Sequence, residues 1–211
     1  MSRLAEGRPA DSRRETVRVG GVELNELLTS SAAALLVILL ISEGITILDM
    51  GGLLGPHMFI GLVLIGPVAL KLASTGYRFV RYYTGAPVYV AKGPPHIALR
   101  ALAPLLVATT AMIFITGVWL LALGHHSDQV LMLHKVAFIV WSGVFGVHFL
   151  AYVPRAAGSL RSAWATRPSY RPRTPGRALT ALLALASLCA GLALALLLLP
   201  HIGAWHRGYG F

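Results

Sequence analysis

Long apolar runs alternate along this chain with short polar connections that carry most of its arginines. Five apolar stretches stand out. The first runs from about Leu27 to Leu48, the second from His57 to about Ser74, the third from about Leu99 to Leu123, the fourth from about Val130 to Val153 and the fifth from Ala178 to Leu199. Each approaches the roughly 20 residues a helix needs to cross a bilayer, the second being the shortest. The pattern predicts an all-α, polytopic membrane protein with five transmembrane helices. Residues 1–24 mix charges with Gly and Pro and are expected to form a disordered cytoplasmic tail. Residues 25–155 then form a four-helix transmembrane bundle, 156–177 a basic cytoplasmic loop, 178–200 the fifth helix and 201–211 an outer tail.

Composition agrees with that division. The chain is 56% hydrophobic and 12% charged, with a mean hydropathy of +0.70, values that belong to membrane proteins. The net charge of +10 would suit nucleic acid, but the arginines crowd beside apolar runs, which points to topology and anionic lipid. No nucleic-acid partner is expected. The first 25 residues contain no apolar h-region, so no cleavable signal peptide is expected. Cys189, the only cysteine, lies in an apolar run and reads as inert packing.

The basic residues also orient the chain. Arg3, Arg8, Arg13, Arg14 and Arg18 precede the first span. Arg78, Arg81, Lys92 and Arg100 lie between the second and third, and Arg155, Arg161, Arg167, Arg171, Arg173 and Arg177 between the fourth and fifth. Five spans put all of these on one side, with Lys135 and Arg207 on the other. Positive residues mark the cytoplasmic face, so the expectation is a multi-pass protein of the bacterial inner membrane, N-terminus inside and C-terminus outside. Tyr77, Tyr82 and Tyr83 would then lie at inner headgroup depth.

Histidines bring in the chemistry. His134 and His148 lie fourteen residues apart on the fourth span, and His57 and Lys71 are fourteen apart on the second. Each stretch has a glycine nine residues after its first histidine, Gly66 and Gly143. Fourteen helical residues span about 21 Å and return to within roughly 40° of one face, so each stretch has one such position near each side of a bilayer. His57 and His134 both open spans that run in the same direction, which sets them at similar depth. Two imidazoles facing each other across a gap suit the axial positions of haem iron. A helix-capping His57 and a snorkelling His134 form the plain alternative.

At the inner position His148 has no equally clear partner. Lys71 occupies the matching place and could ligate only after losing its proton; snorkelling is the simpler reading. His96, at the start of the third span, is the other candidate partner. One haem b is expected and two are possible on this count. Glu43, an acid within the first span, can relay protons or accept a hydrogen bond from a ligand histidine. His125, His126, His201 and His206 read as surface residues, and Trp119, Trp141 and Phe145 as packing.

Through HMFIGLVLIGPVALK, RFVRYYTG, GPP and HKVAFIVWSGVFGVH, the chain resembles bacterial membrane cytochrome b proteins. These include the cytochrome b subunits of hydrogenase and formate dehydrogenase and ferric-reductase-like membrane domains. Within that breadth it looks most like a group of actinobacterial integral membrane proteins. The resemblance covers roughly Leu24 to Val153. It implies that the first four spans form a bundle holding b-type haem, with metal ligands at His57, His134 and His148, and it leaves the fifth span as an accessory or docking helix. Lys71 departs from the family pattern. The implied activity is electron transfer across the membrane, between quinone or quinol and a redox partner protein or subunit. No flavin, nicotinamide, P-loop or metalloprotease motif occurs, so an electron-transfer subunit is expected rather than a complete oxidoreductase. Two other classes remain open: a redox-inert membrane anchor or assembly subunit, and a small proton or ion transporter using Glu43, Lys71 and His148.

Overall fold

A computed structural model describes residues 9–91, 93, 97–123, 127–165 and 175–208. All regular structure in these residues is helical, in the order α1 (Pro9–Ile47), α2 (Met50–Tyr83), α3 (Pro87–Val90), α4 (Ile97–Leu123), α5 (Asp128–Ala165), α6 (Pro175–Leu197) and α7 (Leu199–Gly208). Five helices are long and apolar enough to cross a membrane, over Leu24–Ile47, Met50–Tyr83, Leu99–Leu123, Asp128–Ala151 and Ala178–Leu197. The protein is thus all-α with five membrane-length helices.

Helices outrun their apolar parts at several ends. α1 begins at Pro9, within the segment expected to be a disordered tail. Proline suits the first helical turn, and the Asp, Arg and Glu residues that follow are compatible with helix. α5 continues to Ala165, into the expected basic loop, and most of the expected outer tail is α7. Residues 1–8 and 166–174 lie outside the described residues.

The second span differs most from expectation. Its apolar run is the shortest of the five, yet α2 has 34 residues. Asp49 caps it, accepting a hydrogen bond from the Gly52 amide at 3.1 Å. A kink at Leu53 (φ −112°, ψ 15°) absorbs the approach to Pro56. Beyond Ser74 the helix continues through Tyr77, Arg78, Arg81 and Tyr83, polar residues that favour headgroups. It stops at Thr84, where Gly85 takes φ +76° and its amide returns to the Tyr82 carbonyl at 3.1 Å.

α1, α2 and α6 pack together, and α4 and α5 form an antiparallel hairpin beside them. The two groups meet where α4 contacts α2 and α7. Among the described residues, no Cα of α5 comes within 8 Å of a Cα of α1, α2 or α6. The fifth span, α6, is integral to the packing. A Cβ added to Gly66 would lie 2.0 Å from the Ser187 carbonyl oxygen, and one added to Gly191 would lie 2.1 Å from that of Val63. The α2 and α6 backbones therefore touch, the usual purpose of glycine at a membrane helix crossing. Leu62, Val63, Leu121, Ala195 and Ile202 form the apolar core. Outside it, large side chains such as Ile38 (65% exposed), Ile139 (67%) and Leu150 (69%) face outward, as lipid contact requires.

Candidate functional site

Four helices send side chains into one cluster where α2 begins and α4 ends. Glu43 and Thr46 come from α1, His57 from α2, Thr116 from α4 and His134 from α5. The His57 and His134 rings lie 6.5 Å apart between centroids, with planes at 86°. Their helices do not approach within 8 Å at Cα, so the imidazoles bridge a gap between backbones.

Each ring is held by one nitrogen. Nδ1 of His57 lies 3.0 Å from Oε1 of Glu43 and 3.1 Å from Oγ1 of Thr46. The Thr46 hydroxyl donates to the Glu43 carbonyl at 2.5 Å, so toward His57 it presents a lone pair. A carboxylate and a committed hydroxyl are both acceptors, which makes Nδ1 the nitrogen that carries the proton. His134 repeats the arrangement with other partners. Its Nδ1 is 2.9 Å from Oγ1 of Thr116, and that hydroxyl donates to the Met112 carbonyl at 2.6 Å. In its neutral form, a ring whose Nδ1 hydrogen is given to an acceptor presents Nε2 as a lone pair, the tautomer of a metal-ligating histidine.

Small residues make the space. A Cβ on Gly61 would stand 3.4 Å from Oε1 of Glu43, and one on Gly117 would stand 3.3 Å from Cε1 of His134. The side chains of Glu43 and His57 are 14% and 19% exposed. Oε2 of Glu43 is buried without a hydrogen-bond partner. Among the described residues, no three His, Cys, Asp or Glu side chains converge as a metal-ion ligand group.

The remaining candidates lie elsewhere. Nζ of Lys71 donates to the Thr29 carbonyl on α1 at 3.0 Å. His148 has Nδ1 3.3 Å from the Val144 carbonyl one turn earlier on its own helix. Lys71 and His148 thus make no contact with each other among the described residues. His96, His125 and His126 fall outside those residues, as does the side chain of His206, while His201 is exposed. Cys189 is also exposed, on α6. Trp141 donates from Nε1 to Thr110 on α4 at 2.9 Å and stacks on Phe145 at 4.7 Å, a packing role. Of the two glycines flagged by spacing, Gly66 forms the α6 crossing and Gly143 has nothing within 4 Å of its would-be Cβ.

Sequence reasoning missed Thr46, Thr116, Gly61 and Gly117. Thr46 lies three residues after Glu43 and so shares its helical face, a usable signal. Nothing local marks Thr116, whose part depends on how α4 lies against α5. No family model, curated protein or solved structure matches the chain.

Proposed function

We propose that this protein is a b-type haem carrier that moves electrons across the bacterial inner membrane. His57 and His134 would be the residues that hold one haem. The observation that carries this reading is the pair of Nδ1-anchored imidazoles spaced 6.5 Å apart across a gap between helices. Two protein nitrogens alone would leave a metal ion short of ligands, whereas a macrocycle supplies the other four. When bound, the haem would supply one-electron redox chemistry. The chain's own part is to hold both lone pairs inward, to keep each Nδ1 proton on an acceptor, and to surround the site with apolar helices that limit water.

The partners in this reading are quinone or quinol and a second redox protein, since the chain carries no nucleotide motif of its own. A single haem is favoured, because Lys71 is engaged by Thr29 and His148 by its own helix. The buried, unpartnered Oε2 of Glu43 favours a second reading, a proton or ion carrier. Haem quantitation on the purified full chain by the pyridine-haemochrome method separates the two. About one haem per chain supports electron transfer. A colourless, folded protein would discard it and leave proton flux into liposomes as the next measurement.

A further inference from the structure

The far end of the α1–α2 seam holds a second polar cluster that the histidine site does not use. Lys71 Nζ donates to the Thr29 carbonyl at 3.0 Å. The Thr29 hydroxyl donates to Ser74 Oγ at 3.2 Å, and Ser74 donates back to the Lys71 carbonyl at 3.0 Å. In this antiparallel pair Thr29 meets Lys71 and Ser74 in the same register in which Glu43 and Thr46 meet His57. One turn further along, that register sets Asn25 opposite Arg78. The short helix α3 closes this end against both α1 and α2. Its Tyr89 is 8% exposed, with its ring 6.2 Å from that of Tyr77.

Asn25 is the anomaly. It too is 8% exposed, yet its Nδ2 has no hydrogen-bond partner, and a native structure seldom leaves a buried amide donor idle. One helical turn away along the seam, Lys71 uses one of its three N–H groups on Thr29. Burial, with Tyr77 alongside, pushes the Tyr89 phenol above its ordinary pKa and keeps it a neutral donor. Arg78 and Arg81 act on the same phenol, with Glu26 as the acidic group in reach. The cluster is rich in donors and net positive. It lies fourteen residues, or about 21 Å, along α2 from His57, where hydrocarbon gives way to headgroups. On the same helix Leu72 and Phe79 are 37% and 61% exposed, apolar surface on which acyl chains can rest.

We propose that this cluster binds the phosphate of one anionic phospholipid from the leaflet at the arginine end, using Asn25 Nδ2, Lys71 Nζ and the Arg78 guanidinium. Lys71 is then a lipid-binding cation, which accounts for a lysine at this depth without any part in metal ligation. Phosphate oxygens are acceptors only, so they satisfy an idle amide donor and spare ammonium hydrogens together.

The test uses the full chain in maltoside micelles, titrated with dioleoyl phosphatidylglycerol and followed by thermal midpoint and by native mass spectrometry. The wild type should retain one phosphatidylglycerol per chain. Asn25→Leu and Lys71→Met should each weaken that binding about tenfold or more, the loss of one charge-assisted hydrogen bond. Lys135→Gln, at the opposite end, should bind as wild type. Asn25→Leu removes an amide with no partner, so its lipid-free midpoint should not fall, and both variants should keep the wild-type haem content, whatever that is. Unchanged affinity in Asn25→Leu, equal binding of dioleoyl phosphatidylcholine, or displacement of the lipid by millimolar inorganic phosphate would each overturn the proposal.

Discussion

Nδ1 of His134 on α5 lies 2.9 Å from the Thr116 hydroxyl on α4, and that hydroxyl donates its own proton to the Met112 carbonyl at 2.6 Å. One helix thereby sets the tautomer of a histidine on another. Glu43 on α1 does the same for His57 on α2 at 3.0 Å. Both hairpins therefore hold a histidine by Nδ1 and leave Nε2 without a protein partner, and the expected behaviour of variants follows from that.

If one haem is held as proposed, His57→Ala and His134→Ala should each abolish the same spectral component, because each would remove one of its two protein ligands. Reduced-minus-oxidised spectra of the purified variants provide the check. Two variants that both keep the full wild-type spectrum would show the pairing to be wrong.

Thr116→Val keeps the shape of the side chain and removes the acceptor behind His134. Loss of such a partner behind a metal ligand typically costs about 10- to 100-fold in affinity, so haem should dissociate more readily from this variant during transfer to apomyoglobin. Glu43→Gln retains an acceptor oxygen behind His57 and should lose less haem than Glu43→Leu. If the two Glu43 variants are equal, the carboxylate is not orienting the ring.

Gly66→Ala would place a Cβ 2.0 Å from the Ser187 carbonyl. The backbones of α2 and α6 must then separate, at a cost of about 1–3 kcal/mol for overpacking. The thermal midpoint in detergent should fall clearly for Gly66→Ala and Gly191→Ala. Gly143→Ala, with nothing within 4 Å of the new methyl, should leave it unchanged.

The arginine distribution predicts an inside N-terminus and an outside C-terminus. Alkaline phosphatase fused after Phe211 should be active, and a fluorescent protein that folds only in the cytoplasm should stay dark there. The opposite pair of results would invert the depth assigned to the histidine cluster.

The chain by itself determined its class and its spans. Five apolar runs of membrane length can be satisfied only as helices, because a bilayer leaves no other partner for their main-chain polar groups, and the structure has five such helices. Spacing on single helices also marked His57 and His134, and an acid within an apolar span marked Glu43, since depth along a helix can be counted from sequence. What counting cannot supply is rotation and neighbour. Spacing predicts matching heights for Lys71 and His148, yet Lys71 bonds to Thr29 on α1 and His148 to its own helix, because each helix's facing is set by packing against all the others. Thr116 entered the cluster for the same reason, and Gly66 became a crossing point with α6 although its spacing had pointed to His57. The tertiary structure made these choices because lipid does not discriminate among apolar faces. In a membrane, close backbone contact and buried hydrogen bonds decide which faces meet, and both depend on residues far apart in the chain.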